Sequence, residues 1–149
     1  MAVRRKRSFV KRHSLGIATG IVLVTWILLY SASDPATHLG SFFGNAIADW
    51  SGVFVTIIAT KYLFEKGSAE SRRPPNPLVA PAWGLLRDHS LTVFLLITGI
   101  GWVALYVHLN SEAKWGQVVG NIVSEWTQVL ALVLMTKRLV ETHSKESNR

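Results

Sequence analysis

An internal repeat constrains the fold of this chain more than any other feature of its sequence. At an offset of 76 residues and without a gap, residues 13–68 match residues 89–144 with 17 identities in 56 pairs. A fold that obeys the repeat contains one structural unit twice. The identical pairs include His13 and His89, Trp26 and Trp102, Tyr30 and Tyr106, Gly40 and Gly116, Gly44 and Gly120, Asn45 and Asn121, Trp50 and Trp126, Lys61 and Lys137, and Glu65 and Glu141.

Each copy of the repeat contains two long apolar stretches, at about 15–32 and 42–64, and at about 90–109 and 115–136. A helix needs about 20 mostly apolar residues to cross a hydrocarbon layer of about 30 Å. A surface helix of a soluble protein keeps one polar face, but parts of these stretches are apolar all round. The pattern therefore predicts four membrane-spanning helices.

The predicted fold is all-α, with four transmembrane helices arranged as two tandem helical hairpins of the same orientation. Two crossings in each repeat make this a parallel repeat, with a pseudo-two-fold axis along the membrane normal. We expect the hairpins to form a four-helix bundle. The predicted segments are a basic N-terminal segment at 1–13, a first hairpin at 14–66, a proline-rich linker at 67–88, a second hairpin at 89–138 and a tail at 139–149.

The basic residues lie on one side of the four stretches. Of the 16 Lys and Arg residues, only Lys114 is on the other side, where Asp34 and Glu112 also lie. The positive-inside rule predicts cytoplasmic termini, a cytoplasmic linker and a multi-pass protein of the inner membrane. The net charge of +7 then reflects topology and attraction to anionic lipids, and we expect no nucleic-acid partner.

Polar residues recur at matched places inside the second and fourth stretches. Asn45 and Asp49 are four residues apart, as are Asn121 and Glu125, and Gln128 follows one turn later. Acidic residues inside a membrane segment are energetically costly and usually have a purpose. Three interpretations are open. The two acids could form a proton or cation site, or the polar residues could form a structural clasp of hydrogen bonds between helices. The third is a contact with a partner subunit or lipid.

Small residues form a second pattern on these stretches, with Gly40, Gly44 and Gly52 in one copy and Gly116 and Gly120 in the other. Residues four apart share a helix face, and small residues let membrane helices approach closely. We expect these glycines to form a packing seam between the second and fourth helices.

Catalytic and metal-binding signals are weak. The chain has no cysteine, which excludes disulfides and thiolate ligands, and its histidines lack the usual spacing of metal ligands. We interpret His13 and His89 as interface residues or first-turn caps beside Ser14 and Ser90. We expect no enzyme activity, no metal and no cofactor.

The stretch Glu65-Lys66-Gly67-Ser68-Ala69-Glu70-Ser71, together with Ser124-Glu125-Trp126-Thr127-Gln128, resembles an uncharacterised bacterial family of small multi-pass membrane proteins. The chain departs from that pattern at Ala48-Asp49-Trp50, where the family has Ser-Glu. The resemblance implies a membrane location and leaves the activity open.

These patterns predict a small membrane protein without catalysis, in an accessory or scaffold role. Its partners would be the lipid bilayer and either further copies of the chain or another membrane protein. The alternative is a proton or small-cation transporter or channel that uses Asp49 and Glu125.

Overall fold

The computed structural model describes residues 9–70 and 81–139, and within these ranges it contains helices and no strands. Four helices are long and apolar enough to cross a membrane, namely α1 (Phe9–Ala32), α2 (His38–Tyr62), α4 (Ser90–His108) and α5 (Lys114–Met135). A fifth and shorter helix, α3 (Pro81–Asp88), precedes α4. The prediction of an all-α chain with four candidate spans is therefore confirmed.

The extensive helix contacts follow the spatial order α1–α2–α5–α4. The helices α2 and α5 therefore form the centre, and α1 and α4 flank them. Buried side chains from all four helices form one apolar core. The turns that follow α1 and α4 lie at one end, here called the loop end. The residues that follow α2 and α5 lie at the other end, here called the basic end.

At the loop end, hydrogen bonds of Lys114, the first residue of α5, join that helix to the end of α1. The hydroxyl of Tyr30 in α1 donates a hydrogen bond to the Lys114 carbonyl at 2.5 Å. The Lys114 ammonium in turn donates to the carbonyls of Ser31 at 3.1 Å and Ser33 at 2.5 Å. A cation at the end of α1 is favourable because the last carbonyls of a helix carry partial negative charge.

The glycines make close contacts, but mostly with partners other than those predicted. A Cβ on Gly40 would lie 1.9 Å from the carbonyl oxygen of Asp34 in the preceding turn, and one on Gly116 would lie 2.0 Å from that of Asn110. These two glycines therefore let the turns fold over the starts of α2 and α5. Their nearest neighbours lie in these turns rather than on the facing central helix.

The next two glycines, Gly44 and Gly120, pack against tyrosine rings. A Cβ on Gly44 would lie 3.0 Å from the Tyr30 ring, and one on Gly120 would lie 2.9 Å from the Tyr106 ring. They therefore bring α2 against α1 and α5 against α4. Of the five predicted seam glycines, only Gly52 faces across from α2 to α5.

Two helix boundaries also differ from the prediction. The helix α1 begins at Phe9, so the end of the predicted basic segment is part of the first long helix. The proline-rich linker predicted at 67–88 also contains a helix, because α3 spans Pro81–Asp88. Proline is well tolerated in a first helical turn, where its missing N–H group would have no partner. The other linker prolines lie outside the described residues.

Leucine at Gly44 should destabilise the protein more than leucine at Gly120. Tyr30 is 1% exposed and bonded to Lys114, whereas Tyr106 is 38% exposed and has room to move aside. We expect Gly44→Leu to lower the free energy of unfolding by about 1–3 kcal/mol, as overpacking usually does. Gly101→Leu is the control because a Cβ there would have no atom within 4 Å apart from its chain neighbours and the backbone of its own helix. Unfolding titrations in detergent would rank the variants, and equal losses at Gly44 and Gly101 would contradict the packing role.

Candidate functional site

Five polar side chains lie together along the α2–α5 contact, and we name them the polar face. The Asn121 amide of α5 donates a hydrogen bond to the Asn45 amide oxygen of α2 at 2.5 Å. One helical turn further, the Gln128 amide donates to the Glu125 carboxylate at 3.1 Å. The members of the polar face are Asn45, Asp49, Asn121, Glu125 and Gln128.

The hydrogen bonds of the asparagines do not follow the spacing of four residues within each helix. Among the described residues, no hydrogen bond joins Asn45 to Asp49 or Asn121 to Glu125. Instead the two asparagines bond each other and so fix the register of α2 against α5. Glu125 packs against Gly52, whose added Cβ would lie 3.8 Å from both its Cβ and its Oε2 atom.

Asp49 has a different environment from Glu125, although the two occupy matched positions. Asp49 is exposed near the middle of α2, while Glu125 is half-buried near the middle of α5. Among the described residues no hydrogen bond or ion pair joins the two carboxylates. The structure therefore places the acids on neighbouring helices without forming a carboxylate pair.

A second polar site lies at the basic end, around the buried carboxylate of Glu65. This side chain has no exposed surface. Its Oε1 atom accepts a hydrogen bond from Nδ1 of His89 at 2.6 Å and is also paired with the ammonium of Lys137. Its Oε2 atom accepts from the backbone N–H of Thr92 at 3.0 Å. We name Glu65, His89 and Lys137 the carboxylate cluster.

The carboxylate cluster also caps α4. The first N–H groups of a helix lack partners within the helix, and here the segment after α2 supplies them. The N–H of Leu91 donates to the Phe64 carbonyl at 3.1 Å, and the Ser90 hydroxyl accepts from the Phe64 N–H at 2.8 Å. The negative charge of Glu65 at the start of α4 adds a favourable interaction with the helix dipole. The end of α2 therefore fixes the start of α4.

Two opposing effects act on the pKa of Glu65. Burial raises the pKa, because a charged group loses its hydration. Hydrogen bonds from His89, Lys137 and Thr92 favour the charged form and outweigh burial, so the pKa is lowered from its ordinary value. Glu65 is therefore an ionised structural carboxylate at neutral pH.

A tight turn follows Glu65 and extends the contact to α5. The Ser68 N–H donates to the Glu65 carbonyl at 3.2 Å, and Gly67 has a φ of 85°, which glycine adopts without strain. The hydroxyls of Ser68 and Thr136 are then 2.9 Å apart. This turn joins the end of the first pair of long helices to the end of the second.

The sequence reasoning did not identify the carboxylate cluster as a site. It placed His89 at an interface or in a first-turn cap, and the structure shows it at the start of α4, bonded to Glu65. The available signal was that all three members of the cluster belong to identical pairs in the repeat. Spacing alone could not join them, because they come from the ends of three different segments.

Within residues 9–70 and 81–139, no group of three or more His, Asp or Glu side chains is placed to hold a metal ion. Comparisons of the chain with protein-family models, with curated proteins and with solved structures find no significant match. The family resemblance thus gains no support beyond its coarse content, a small helical protein with four apolar helices of membrane-spanning length.

Removing the charge of Glu65 should change how stability depends on pH. A carboxylate with a lowered pKa stabilises the fold above its ordinary pKa of about 4.5. That contribution is lost as the pH falls through the lower folded-state pKa. We expect Glu65→Gln to lower the free energy of unfolding at pH 7 by about 1–3 kcal/mol. The loss of stability between pH 5 and 3 should also be smaller in this variant.

Glu112→Gln is the matched control, since Glu112 is exposed at the loop end. Thermal unfolding in detergent across this pH range would give both quantities. Equal pH dependence in the wild type and in Glu65→Gln would show that Glu65 is not the ionised centre of the cluster.

Proposed function

We propose that this chain is a small integral protein of the inner membrane that acts without catalysis, as an accessory or scaffold subunit. The observation that carries the proposal is the exposure of Asp49 near the middle of α2. A carboxylate in contact with lipid at that depth would cost several kcal/mol. A partner helix that covers the polar face removes that cost.

The rest of the polar face supports the same proposal. Asn45 and Gln128 are exposed as well, so both central helices contribute exposed polar side chains to this face. Polar side chains commonly hydrogen-bond between membrane helices. A second copy of this chain or another membrane protein would supply the partner groups. We include the lipid bilayer among the partners and no nucleic acid.

The polar face also supports a second candidate function, the transport of protons or a small cation. Glu125 is half-buried and accepts a hydrogen bond from the Gln128 amide, and a carboxylate in this position can bind a proton or a cation. Asp49, the exposed acid on the neighbouring helix, would then accept the proton or cation from Glu125. This candidate needs a conducting path along the α2–α5 contact.

We further propose that the chain forms two hairpins of the same orientation, α1 with α2 and α4 with α5, with both termini in the cytoplasm. Matched contacts in the two halves support the repeat, since Gly44 meets Tyr30 as Gly120 meets Tyr106. The distribution of Lys and Arg supports the orientation. The basic end would then face the cytoplasm and the loop end the outside.

Substitution at Asp49 should disrupt association in the membrane. We expect the wild type, purified in mild detergent or native nanodiscs, to run as a homo-oligomer or with a stoichiometric partner. Asp49→Leu should lose that association, because leucine removes the polar contact, and Asp49→Asn should keep part of it. Thr25→Leu is the control, as Thr25 is an exposed polar residue of α1 that bonds only within its own helix in the described structure.

A proteoliposome flux assay with a pH-sensitive dye separates the two candidate functions. The scaffold proposal would be refuted in favour of transport by two results together. The wild type would be monomeric, and its cation or proton flux would disappear in the double variant Asp49→Asn with Glu125→Gln. A stable assembly without flux would refute transport.

Single cysteines should report the orientation, because the chain has none of its own. Ser111 and Lys66 are both exposed, at the loop end and the basic end. On intact cells Ser111→Cys should react with a membrane-impermeant thiol reagent, and Lys66→Cys should react only after the membrane is opened. The reverse pattern would overturn the proposed orientation.

A further inference from the structure

The turn that carries Glu65 has a second copy in the sequence, at the C-terminal end of the chain. At the same offset of 76 residues, the sequence Glu-x-x-Ser-x-Glu-Ser occurs at 65–71 and again at 141–147. The repeat therefore continues past residue 68 and includes the complete acidic turn. Residues 140–149 lie outside the described part of the structure.

The side chains that bind the first acidic turn are duplicated as well. His89, Lys137 and Thr136 bind Glu65 and Ser68, and their matched residues are His13, Lys61 and Thr60. In the structure the Lys61 ammonium donates a hydrogen bond to Nδ1 of His13 at 2.7 Å.

These two side chains line a groove of about 360 Å³ between α1 and α2, together with Arg12. Within residues 9–70 and 81–139, no carboxylate forms an ion pair with His13, Lys61 or Arg12. The groove therefore offers two cations and an imidazole to an anionic group.

Burial of matched leucines shows that, among the described residues, the first pair of long helices (α1 and α2) lacks a cover that the second pair (α4 and α5) has. Leu91 in α4 is 2% exposed, whereas its identical match Leu15 in α1 is 62% exposed. Leu63, just after α2, packs against the core, while its identical match Leu139 is 63% exposed. One unpartnered surface thus lies on α1, and another lies at the start of the C-terminal segment.

We propose that the C-terminal segment 141–147 docks on the basic end of the first pair, with the Glu141 carboxylate bound by His13 and Lys61. The segment carries the negative charge that no described residue supplies to this groove, and Leu139 leads into it. The central helices α2 and α5 are neighbours, with axes about 8–10 Å apart in such packing. Two residues beyond Leu139 add about 7 Å of chain, so the same chain can reach Lys61.

The second site differs from the first in two respects. The helix α1 runs unbroken through His13, so Glu141 would be held by side chains rather than by N–H groups at a helix start. The tail also has His143 where the first turn has Gly67 with its positive φ. A histidine adopts that conformation more readily than most residues but less readily than glycine. His143→Gly should therefore strengthen docking.

Disulfide cross-linking in native membranes tests the proposal, since every cysteine is introduced. The pair Ser68→Cys with Thr136→Cys is the positive control, because these hydroxyls are 2.9 Å apart. The test pair is Ser144→Cys with Thr60→Cys, because Ser144 matches Ser68 and Thr60 matches Thr136 in the repeat. Under mild oxidation both pairs should form a disulfide within one chain. Ser33→Cys with Thr60→Cys joins opposite ends and should form none.

Charge variants identify the group in the groove. Glu141→Lys should slow the test cross-link about fivefold, the factor for about 1 kcal/mol, and should leave the control pair unchanged. Adding Lys61→Glu should restore the rate, and His143→Gly should raise it.

The contrary outcomes are distinct. No test cross-link beside a formed control would overturn the proposal, and a cross-linked dimer would assign the groove to the tail of a second copy. A cross-link that is insensitive to Glu141→Lys but is blocked by anionic lipid in nanodiscs would assign the groove to a lipid headgroup.

Discussion

The structure depends on one constraint, which is that four of its helices are long and apolar enough to cross a membrane. Inside a membrane every polar group would need a partner from the protein itself. Three threonines of α1 and α4 satisfy this locally, since Thr19, Thr25 and Thr98 donate to carbonyls one turn earlier in their own helices. The indole N–H of Trp126 reaches from α5 to the Thr98 hydroxyl of α4 at 2.8 Å. On the polar face, by contrast, Asn45, Asp49 and Gln128 are exposed, and this is why it carries the functional proposal.

The two polar sites follow different rules because they lie at different depths. The carboxylate cluster is at the end of the helices, where the Lys137 side chain stays partly exposed while it pairs with Glu65. Its members satisfy one another, so the cluster explains how α2, α4 and α5 are joined. The polar face is in the middle of two helices and holds an acid without a counter-charge among the described residues. Stability is therefore the expected role of the cluster, and association or transport that of the polar face.

Sequence reasoning predicted what is local and periodic. The four apolar helices, their approximate limits and the presence of polar residues in α2 and α5 follow from hydrophobic length and helical spacing. Contacts between segments were harder to predict. The glycine row suggested a seam between α2 and α5, whereas Gly44 and Gly120 face tyrosines of α1 and α4. Spacing shows which residues share a face, but it does not show which helix that face meets.

The carboxylate cluster illustrates the same limit and shows how a repeat can overcome it. Glu65, His89 and Lys137 are far apart in sequence, and no periodicity connects them. Once the contacts of one copy are known, the repeat predicts the same contacts at the matched positions of the other copy. A difference in exposure between two matched residues then shows where the two copies differ in their neighbours. Leu15 and Leu91 are identical residues at matched positions with very different exposure, so their difference must come from a neighbouring segment rather than from their own helices. For α4 and α5, the second pair of long helices, that segment is the turn after α2. The matched segment for the first pair is the C-terminal tail, which carries the same acid and the same serine at the same spacing.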